Sequence, residues 1–571
     1  MDKQEFNLVT DSWIKVIEIQ SAREKAVSLS ELFEHAQDYR QLTGDMRSQD
    51  LAILRLLLAI LTTVYLRVDA QGKQYDWLEE PTQPNTPLII DQEDFEDEGQ
   101  DTLLATWQEL YQAGHFSKSV TQYLTRHMNR FDFFGAQPFY QATAEDYDAL
   151  VPANKRVEAG KGQVSVKQIN RQISESGNTP SIFSPKSGAD KNKVQIDELV
   201  RWIITYQNFT GVTDKTKVVT EEKFSNPAGW LYQINPVFVK GKNLFETLML
   251  NLVLFDPRKE GADYSLPKPV WEYRTVGAYV EKRKQQILPD NLAELYTAWS
   301  RILHIEWNEQ GQPLIFSAGL PMFENNNASI EPMTTWRYDK KTSNYRPAVK
   351  GLRSLGIAMW RNFGQYVKIR EADDVHEPGL VVWLRELKKK KLIAYNMPIN
   401  LNSTALISDG NATSQAPAIE VIDDMQIQAD VLFDPEDYWP TQIERAIELT
   451  QKIGTDYYHF ASDIGRIRNL DVRPFAASMS AKFYDRLNEP FKEWLEGLTG
   501  DDDRDEKISQ WKVQLKSITN EAVSDVLRTS SSRDIKGIVT DKGPLNIFTA
   551  KSHLMYNLRI HLDLEKGDDR G

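Results

Sequence analysis

The stretch SIFSPKSGADKNKVQ, Ser181 to Gln195, has the makings of a phosphate cradle: a Ser-Pro turn, one glycine, lysines at 186, 191 and 193, and no bulky residue between Lys186 and Lys193. Nucleotide cradles need glycines and a lysine at fixed offsets after a strand. GxxxxGK[ST] and GxGxxG are both absent, and the preceding NTPSIF is a poor strand. Nucleotide binding is therefore set aside. A second group, Lys215, Lys217 and Lys223, follows the next helix, and Lys388 to Lys391 form a third. Each reads either as solvated surface or as a site for nucleic acid. The first two groups flank one helix, which suggests adjacent loops beside Phe183 and Phe209, and loop lysines with aromatic neighbours suit tracking of a nucleic-acid backbone.

Other chemistry finds no support. The eight histidines show no HxxxH spacing, and His304, in the alternating LHIEW, reads as a half-buried side chain. The carboxylates of DDMQIQAD (423–430) and DDDRDE (501–506) lack the glycine-fixed turn of a cation loop. No serine sits in a nucleophile elbow. The chain has no cysteine, which excludes disulfides, thiolate catalysis and cysteine-ligated metal. Neither catalysis nor a cofactor is expected.

The elements that must position these residues start from 571 residues, too many for one core, with 41% hydrophobic and 26% charged residues. A net charge of -14 and a pI near 5.3 make the chain a poor nucleic-acid ligand by itself, so local basic patches or a partner must supply the cations. The N-terminus has no signal-peptide pattern, and the apolar run LAILRLLLAILTTVYL is interrupted by Arg55 and reads as too short to span a bilayer. A cytoplasmic protein with no membrane partner is expected.

Alternation over 6–18 predicts a strand with a turn at Thr10-Asp11, and Ser28 with Glu31 predicts a capped helix start. A helix capped by Ser48 or Asp50 runs to about Tyr65, apolar nearly all round and so central to a core. Residues 91–101 read as an acidic loop, 102–114 as a helix and the phenylalanine-rich 131–141 as a packed loop. A polar stretch covers 151–194, and an amphipathic helix covers 194–209, ended by Gly211. Short strands and helices alternate from 265 to 430. Beyond Asp434 four apolar stripes follow at helical spacing, the clearest being Ala476, Met479, Phe483, Leu487, Phe491, Trp494 and Leu498. The fold class is α+β: a mixed α/β N-terminal domain over 1–430 and a C-terminal four-helix bundle over 431–571.

Several stretches resemble the large subunit, or CasA family, of the type I-E CRISPR Cascade surveillance complex. FNLVTDSWIKV resembles its opening signature through Asn7, Leu8, Asp11, Trp13, Ile14 and Val16, and GDMRSQDLAILRLLLAIL resembles the helix after it. QPFYQ (Pro138, Phe139, Gln141) and LYTAWSRILHIEW match two further segments, and the order of parts agrees over essentially the full length. The resemblance implies a non-catalytic subunit near the 5′ handle of the CRISPR RNA, in contact with the backbone and small subunits. It implies reading of the protospacer-adjacent motif in duplex DNA, largely from the minor groove, opening of the duplex toward an R-loop, and recruitment of a helicase–nuclease.

By the same resemblance, Ile182, Phe183 and Ser184, continuing through Lys186, Lys191 and Lys193, form a loop docking on the RNA-bearing backbone. The glycine-rich loop falls on Asn208 to Lys215, with Asn208, Gly211, Thr213 and Lys215 as DNA contacts, Lys217 beside them, and Gly211 its sole glycine. Gln415 and Ala416 match the duplex-splitting wedge. Where the family carries a minor-groove lysine, Asn308, Gln310 and Gln312 stand instead. No metal site is implied, since the cysteine cluster of some members is missing. Two other readings stay open: the large subunit of another CRISPR effector with its own nuclease activity, and an α+β interaction scaffold without a nucleic-acid partner.

Overall fold

The computed structural model describes residues 5–79, 88–169, 192–211, 216–225, 228–259, 264–367, 374–408, 417–434, 436, 438–541 and 543–562. Two compact units emerge. The first comprises Met1–Leu355, Ala372–Glu386 and Leu401–Ile422, and the second Gly356–Glu371, Leu387–Asn400 and Asp423–Gly571.

In the first unit the opening signature folds on itself. The Asn7 N–H donates to Asp11 Oδ2 at 2.6 Å and the Val9 N–H to Asn7 Oδ1 at 3.0 Å. This turn sends Leu8, Val9 and Trp13 into the core, where the Trp13 indole donates to the Leu8 carbonyl at 3.0 Å. The strand expected over 6–18 is confined to its second half, β1 (Ile14–Glu18), which lies between β2 (Glu24–Val27) and β3 (Tyr39–Leu42), antiparallel to both. Ser28 caps the helix Leu29–Glu34 by accepting the Glu31 N–H at 3.2 Å.

Helix α1 (Arg47–Tyr65) is buried at every position except Arg47 and Asp50. It is longer than the apolar run suggests, and its length and composition would suit a bilayer. Yet 94% of its most apolar window is buried inside the protein, which makes it a core helix. Arg55 is accommodated at its centre by a bidentate pair with Glu331, both bonds 2.9 Å and both side chains 0% exposed. Glu331 also accepts the Trp230 indole N–H at 2.7 Å and the Met333 N–H at 3.0 Å, so the buried carboxylate is well supplied with donors.

The expected cap of α1 is corrected. Its N-cap is Met46, which makes no side-chain bond, and the Ser48 N–H is taken by Glu420 Oε1 at 2.7 Å, 372 positions along the chain. Asp50 accepts the Gly44 N–H at 2.6 Å instead. A second correction concerns 91–101. Asp91 accepts from the Glu93 and Asp94 N–H groups, and helix α2 runs without a break from Gln92 to Ala113, ending at Gly114 with φ +74°. Carboxylates in a first turn complement the helix dipole, and Phe95, Gly99 and Leu103 supply the buried stripe. The segment 131–141 is a packed loop as expected, with Phe131, Phe133 and Phe139 buried.

Helix α3 (Ile196–Phe209) packs on α1. A three-stranded sheet places β7 (Pro313–Gly319) between β4 (Gln163–Val164) and β6 (Arg301–Trp307), all neighbours antiparallel. In another sheet β8 (Pro398–Ser408) lies between β5 (Val237–Lys240) and β9 (Pro417–Gln428).

The second unit holds four long helices where the stripes predict them: α4 (Tyr438–Arg468), α5 (Val472–Glu496), α6 (Arg504–Arg528) and α7 (Ile547–Leu562). Their shared core includes Phe460, Phe483, Phe491, Trp511 and Leu554. The Trp511 indole donates to Thr450 Oγ1 at 2.9 Å, a buried polar link between α6 and α4. Trp360, from the segment Gly356–Glu371, stacks on Phe491 with ring centroids 4.1 Å apart.

Candidate nucleic-acid interface

Helix α3 is fixed at both ends. Near its start, buried Arg201 donates from Nη1 to the Trp13 carbonyl at 2.7 Å and to Asp197 Oδ2 at 2.9 Å. The opening signature therefore anchors this helix. In its last turn Gln207 Oε1 accepts the Ser300 N–H at 2.9 Å and the Arg301 N–H at 3.0 Å, while Gln207 Nε2 donates to the Arg301 carbonyl at 2.9 Å. One buried amide thus ties the helix to the first residue of β6. The C-cap is Thr210, not Gly211, and its carbonyl accepts the Gly229 N–H at 2.8 Å.

Beyond that cap, Arg301 Nη2 donates to the Gly211 carbonyl at 3.1 Å. The chain is held again at Thr216, whose carbonyl accepts the Gly319 N–H at 2.9 Å, and at Val218, which donates to the Gly319 carbonyl at 3.1 Å. Arg301 and Gly319 are register partners across β6 and β7. Both feet of the segment from Gly211 to Thr216 therefore stand on one rung of the hairpin.

The far end of this hairpin carries the other amides. Asn308 Oδ1 accepts the Gln310 and Gln312 N–H groups at 3.0 and 2.9 Å, and Gly311 adopts φ +70° to close the turn. Asn308 thereby builds the turn that leaves Gln310 exposed. The seven residues of β6 run from Arg301 to this turn, about 20 Å at strand rise. The turn and the foot at Gly211 are therefore separate points on the fold.

Other expected positions separate similarly. Lys193 is exposed ahead of α3, whereas Lys217 follows its far end; 14 residues of helix lie between, about 21 Å. Lys193 and Lys217 therefore stand beyond opposite ends of the helix. Phe209 is 1% exposed and so presents no stacking face. Asn208 is buried and donates to the Ile204 carbonyl at 3.0 Å. Lys217 is half-buried, donates to the Phe224 carbonyl and lies 5.0 Å from the Phe224 ring. Lys388 donates to the Phe433 carbonyl at 3.0 Å, and burial lowers its pKa. Ile182, Phe183, Ser184, Lys186, Lys191, Thr213, Lys215, Gln415 and Ala416 lie outside the described residues, the last two between β8 and β9.

Sequence reading missed Gln207, Arg301 and Gly229. A polar residue in the last turn of an otherwise apolar helix was the available signal for Gln207. Nothing local marks Arg301 as buried, because its neighbours alternate like any strand.

The model of the CRISPR-associated protein Cse1 family matches residues 7–522 of this chain. Among solved structures, the Cse1 of Thermobifida fusca is similar with a TM-score of 0.75 at 21% identity, covering 98% of each chain. The Cse1 of Acidimicrobium ferrooxidans is similar with a TM-score of 0.71 at 19% identity, covering 99% of this chain and 98% of that one. A chain of a CRISPR RNA-guided surveillance complex gives 0.64 at 13% identity, covering 97% and 99%. At these identities the likeness is one of fold. No curated protein matches the sequence.

Proposed function

The chain belongs to the CRISPR-associated protein Cse1 family, and from that premise we propose that it is the non-catalytic large subunit of a type I-E Cascade complex. In this reading it recognises the protospacer-adjacent motif in duplex DNA, promotes opening of the duplex beside it, and recruits the helicase–nuclease. The observation that carries the proposal is the double anchoring of the segment from Gly211 to Thr216 on the Arg301–Gly319 rung. Gly211 and Thr216 are thereby fixed on the fold, and a fixed backbone is what readout of a narrow groove requires. Exposed Gln310, about 20 Å away along the hairpin, would meet the duplex or the displaced strand at a separate point. Gln415 and Ala416, between two long strands, are the proposed wedge, and the loop around Ile182 to Lys193 is the proposed contact to the RNA-bearing backbone.

Because the chain carries a net charge of -14, its affinity for DNA must come from the assembled particle. The test is binding of motif-bearing and scrambled duplexes to CRISPR-RNA-loaded complexes with and without this subunit. Motif-dependent binding is expected only in its presence, and the purified chain is expected to leave DNA intact in Mg²⁺. Equal binding by both complexes rejects the reading.

A further inference from the structure

The chain is acidic as a whole, yet from Lys340 to Arg370 it carries eight lysines and arginines and neither Asp nor Glu. In the first unit this stretch begins on a hairpin, the antiparallel strands Trp336–Asp339 and Asn344–Pro347. Trp336 and Pro347 are buried and seat its base, where a third strand, Val375–His376, pairs with Trp336 and Arg337. Toward the tip, Arg337, Tyr338, Lys340, Lys341 and Arg346 are all exposed.

The one carboxylate of the hairpin is occupied in building it. Asp339 Oδ1 accepts the Lys341 N–H at 2.9 Å, its carbonyl accepts the Ser343 N–H at 2.8 Å, and its Oδ2 lies 3.2 Å from Arg346 Nε. These bonds fold the turn and leave Lys340 and Lys341 at its tip. Lys340 reaches Asp374 at 3.7 Å, but the two side chains are 80% and 59% exposed, so that pair neutralises little. Lys341 has no ion pair among the described residues. Arg337 and Arg346 are register partners and put like charges opposite one another on one face, which disfavours a sheet. A polyanion laid along that face removes the penalty.

Charge and spacing decide the kind of partner. From Arg337 to the tip the ribbon offers cations over about 10 Å at strand rise, and duplex DNA presents about six phosphates in that length. A protein interface needs apolar anchors at its centre and is poor in lysine. On the hairpin the exposed side chains are the cations, Tyr338, Thr342 and Ser343, and exposed Val349 and Leu352 follow only beyond it.

We propose that this hairpin is a sequence-independent grip on the phosphate backbone of duplex DNA. Lys340, Lys341 and Arg346 contact phosphates and add affinity for any duplex, while motif reading is left to other parts of the chain. This rests on the reading that the subunit meets duplex DNA within an assembled complex, and not on which residues read the motif.

The test uses the assembled complex with wild-type subunit, with Lys340→Ser/Lys341→Ser, and with Lys512→Ser/Lys516→Ser on α6 as a control of equal charge change. Dissociation constants for motif-bearing and scrambled duplexes are measured between about 50 and 200 mM salt, and gel filtration checks that the subunit stays in the particle. The hairpin variant should weaken both duplexes by the same factor and leave the motif-to-scrambled ratio unchanged. The slope of log K against log salt should fall by about 1.8, at roughly 0.9 per phosphate, so that the deficit is about tenfold greater at the low-salt end. A wild-type slope in the hairpin variant overturns the proposal and leaves the proposed function standing. An equal slope change in the control also overturns it, as does a changed ratio, which would make the hairpin part of motif reading. Loss of the subunit from the particle overturns it too, by assigning the hairpin to a protein or RNA partner. If complexes with and without the wild-type subunit bind duplex equally, the proposed function fails and this proposal falls with it.

Discussion

Arg301 and Gly319 face each other across β6 and β7, and between them they hold both ends of the segment from Gly211 to Thr216. Any change that moves one strand against the other shifts one foot relative to its mate. Four predictions test this architecture and its surroundings.

Gly229 lies against the last turn of α3. A Cβ added there would stand 2.3 Å from the Asn208 carbonyl carbon and oxygen and 2.7 Å from the Phe209 nitrogen, all backbone atoms. Gly229→Ala is expected to destabilise the protein by about 1–3 kcal/mol in chemical denaturation, as overpacking does, and to weaken motif-specific binding by displacing the first foot. Wild-type stability in this variant would contradict such a close approach.

Lys217 and Gln310 lie toward opposite ends of the β6–β7 hairpin. Their contributions to DNA binding should add: the loss in Lys217→Met/Gln310→Ala should equal the sum of the single losses within about 0.5 kcal/mol, as for independent sites. A double-mutant cycle in the assembled complex measures this, and strong coupling would mean that both act at one point.

The Arg55–Glu331 pair is wholly buried. Glu331→Gln should cost about 3–5 kcal/mol, because it leaves the guanidinium uncompensated in the core. Arg55→Met/Glu331→Leu should recover much of that loss. Urea titration of the three proteins gives the comparison, and a double variant no better than the single would contradict it.

Within the second unit, Asp534 accepts from Arg468 at 2.9 and 3.1 Å and from the Ser531 N–H at 2.7 Å. Burial pushes its carboxyl up, but the bonds from Arg468 and Ser531 outweigh that and hold it below the usual carboxylate range. A depressed folded-state pKa stabilises above the unfolded-state value of about 3.9, and the gain is lost as pH falls through the folded-state value. Tm measured from pH 6 to pH 2 should therefore drop less steeply at the acid end in Asp534→Asn than in wild type. Parallel profiles would remove Asp534 from the acid response.

The four long helices were legible because large apolar residues recur at helical spacing over many turns, so a single misread position changes nothing. The signature around Asn7 and Trp13 was legible too, although its anchoring of Arg201 was not, since that bond joins residues 188 apart. Acidity disguised α2: carboxylates look like a solvated loop until their benefit in a first helical turn is counted. Side chains that act across the fold were illegible in principle. Gln207 reads β6 and Glu420 reads α1, and no local pattern announces either. Segment Gly356–Glu371 sends Trp360 onto Phe491, far from any stripe.

The bond from Ser48 to Glu420 has a consequence for how the protein comes into being. The leading turn of α1, buried along nearly its whole length, waits for a residue made 372 positions later, an interval of roughly 20–70 s at ordinary rates of translation. During that time the Ser48 N–H has only water to bond, and this contact of the leading turn closes once strand β9 has been made.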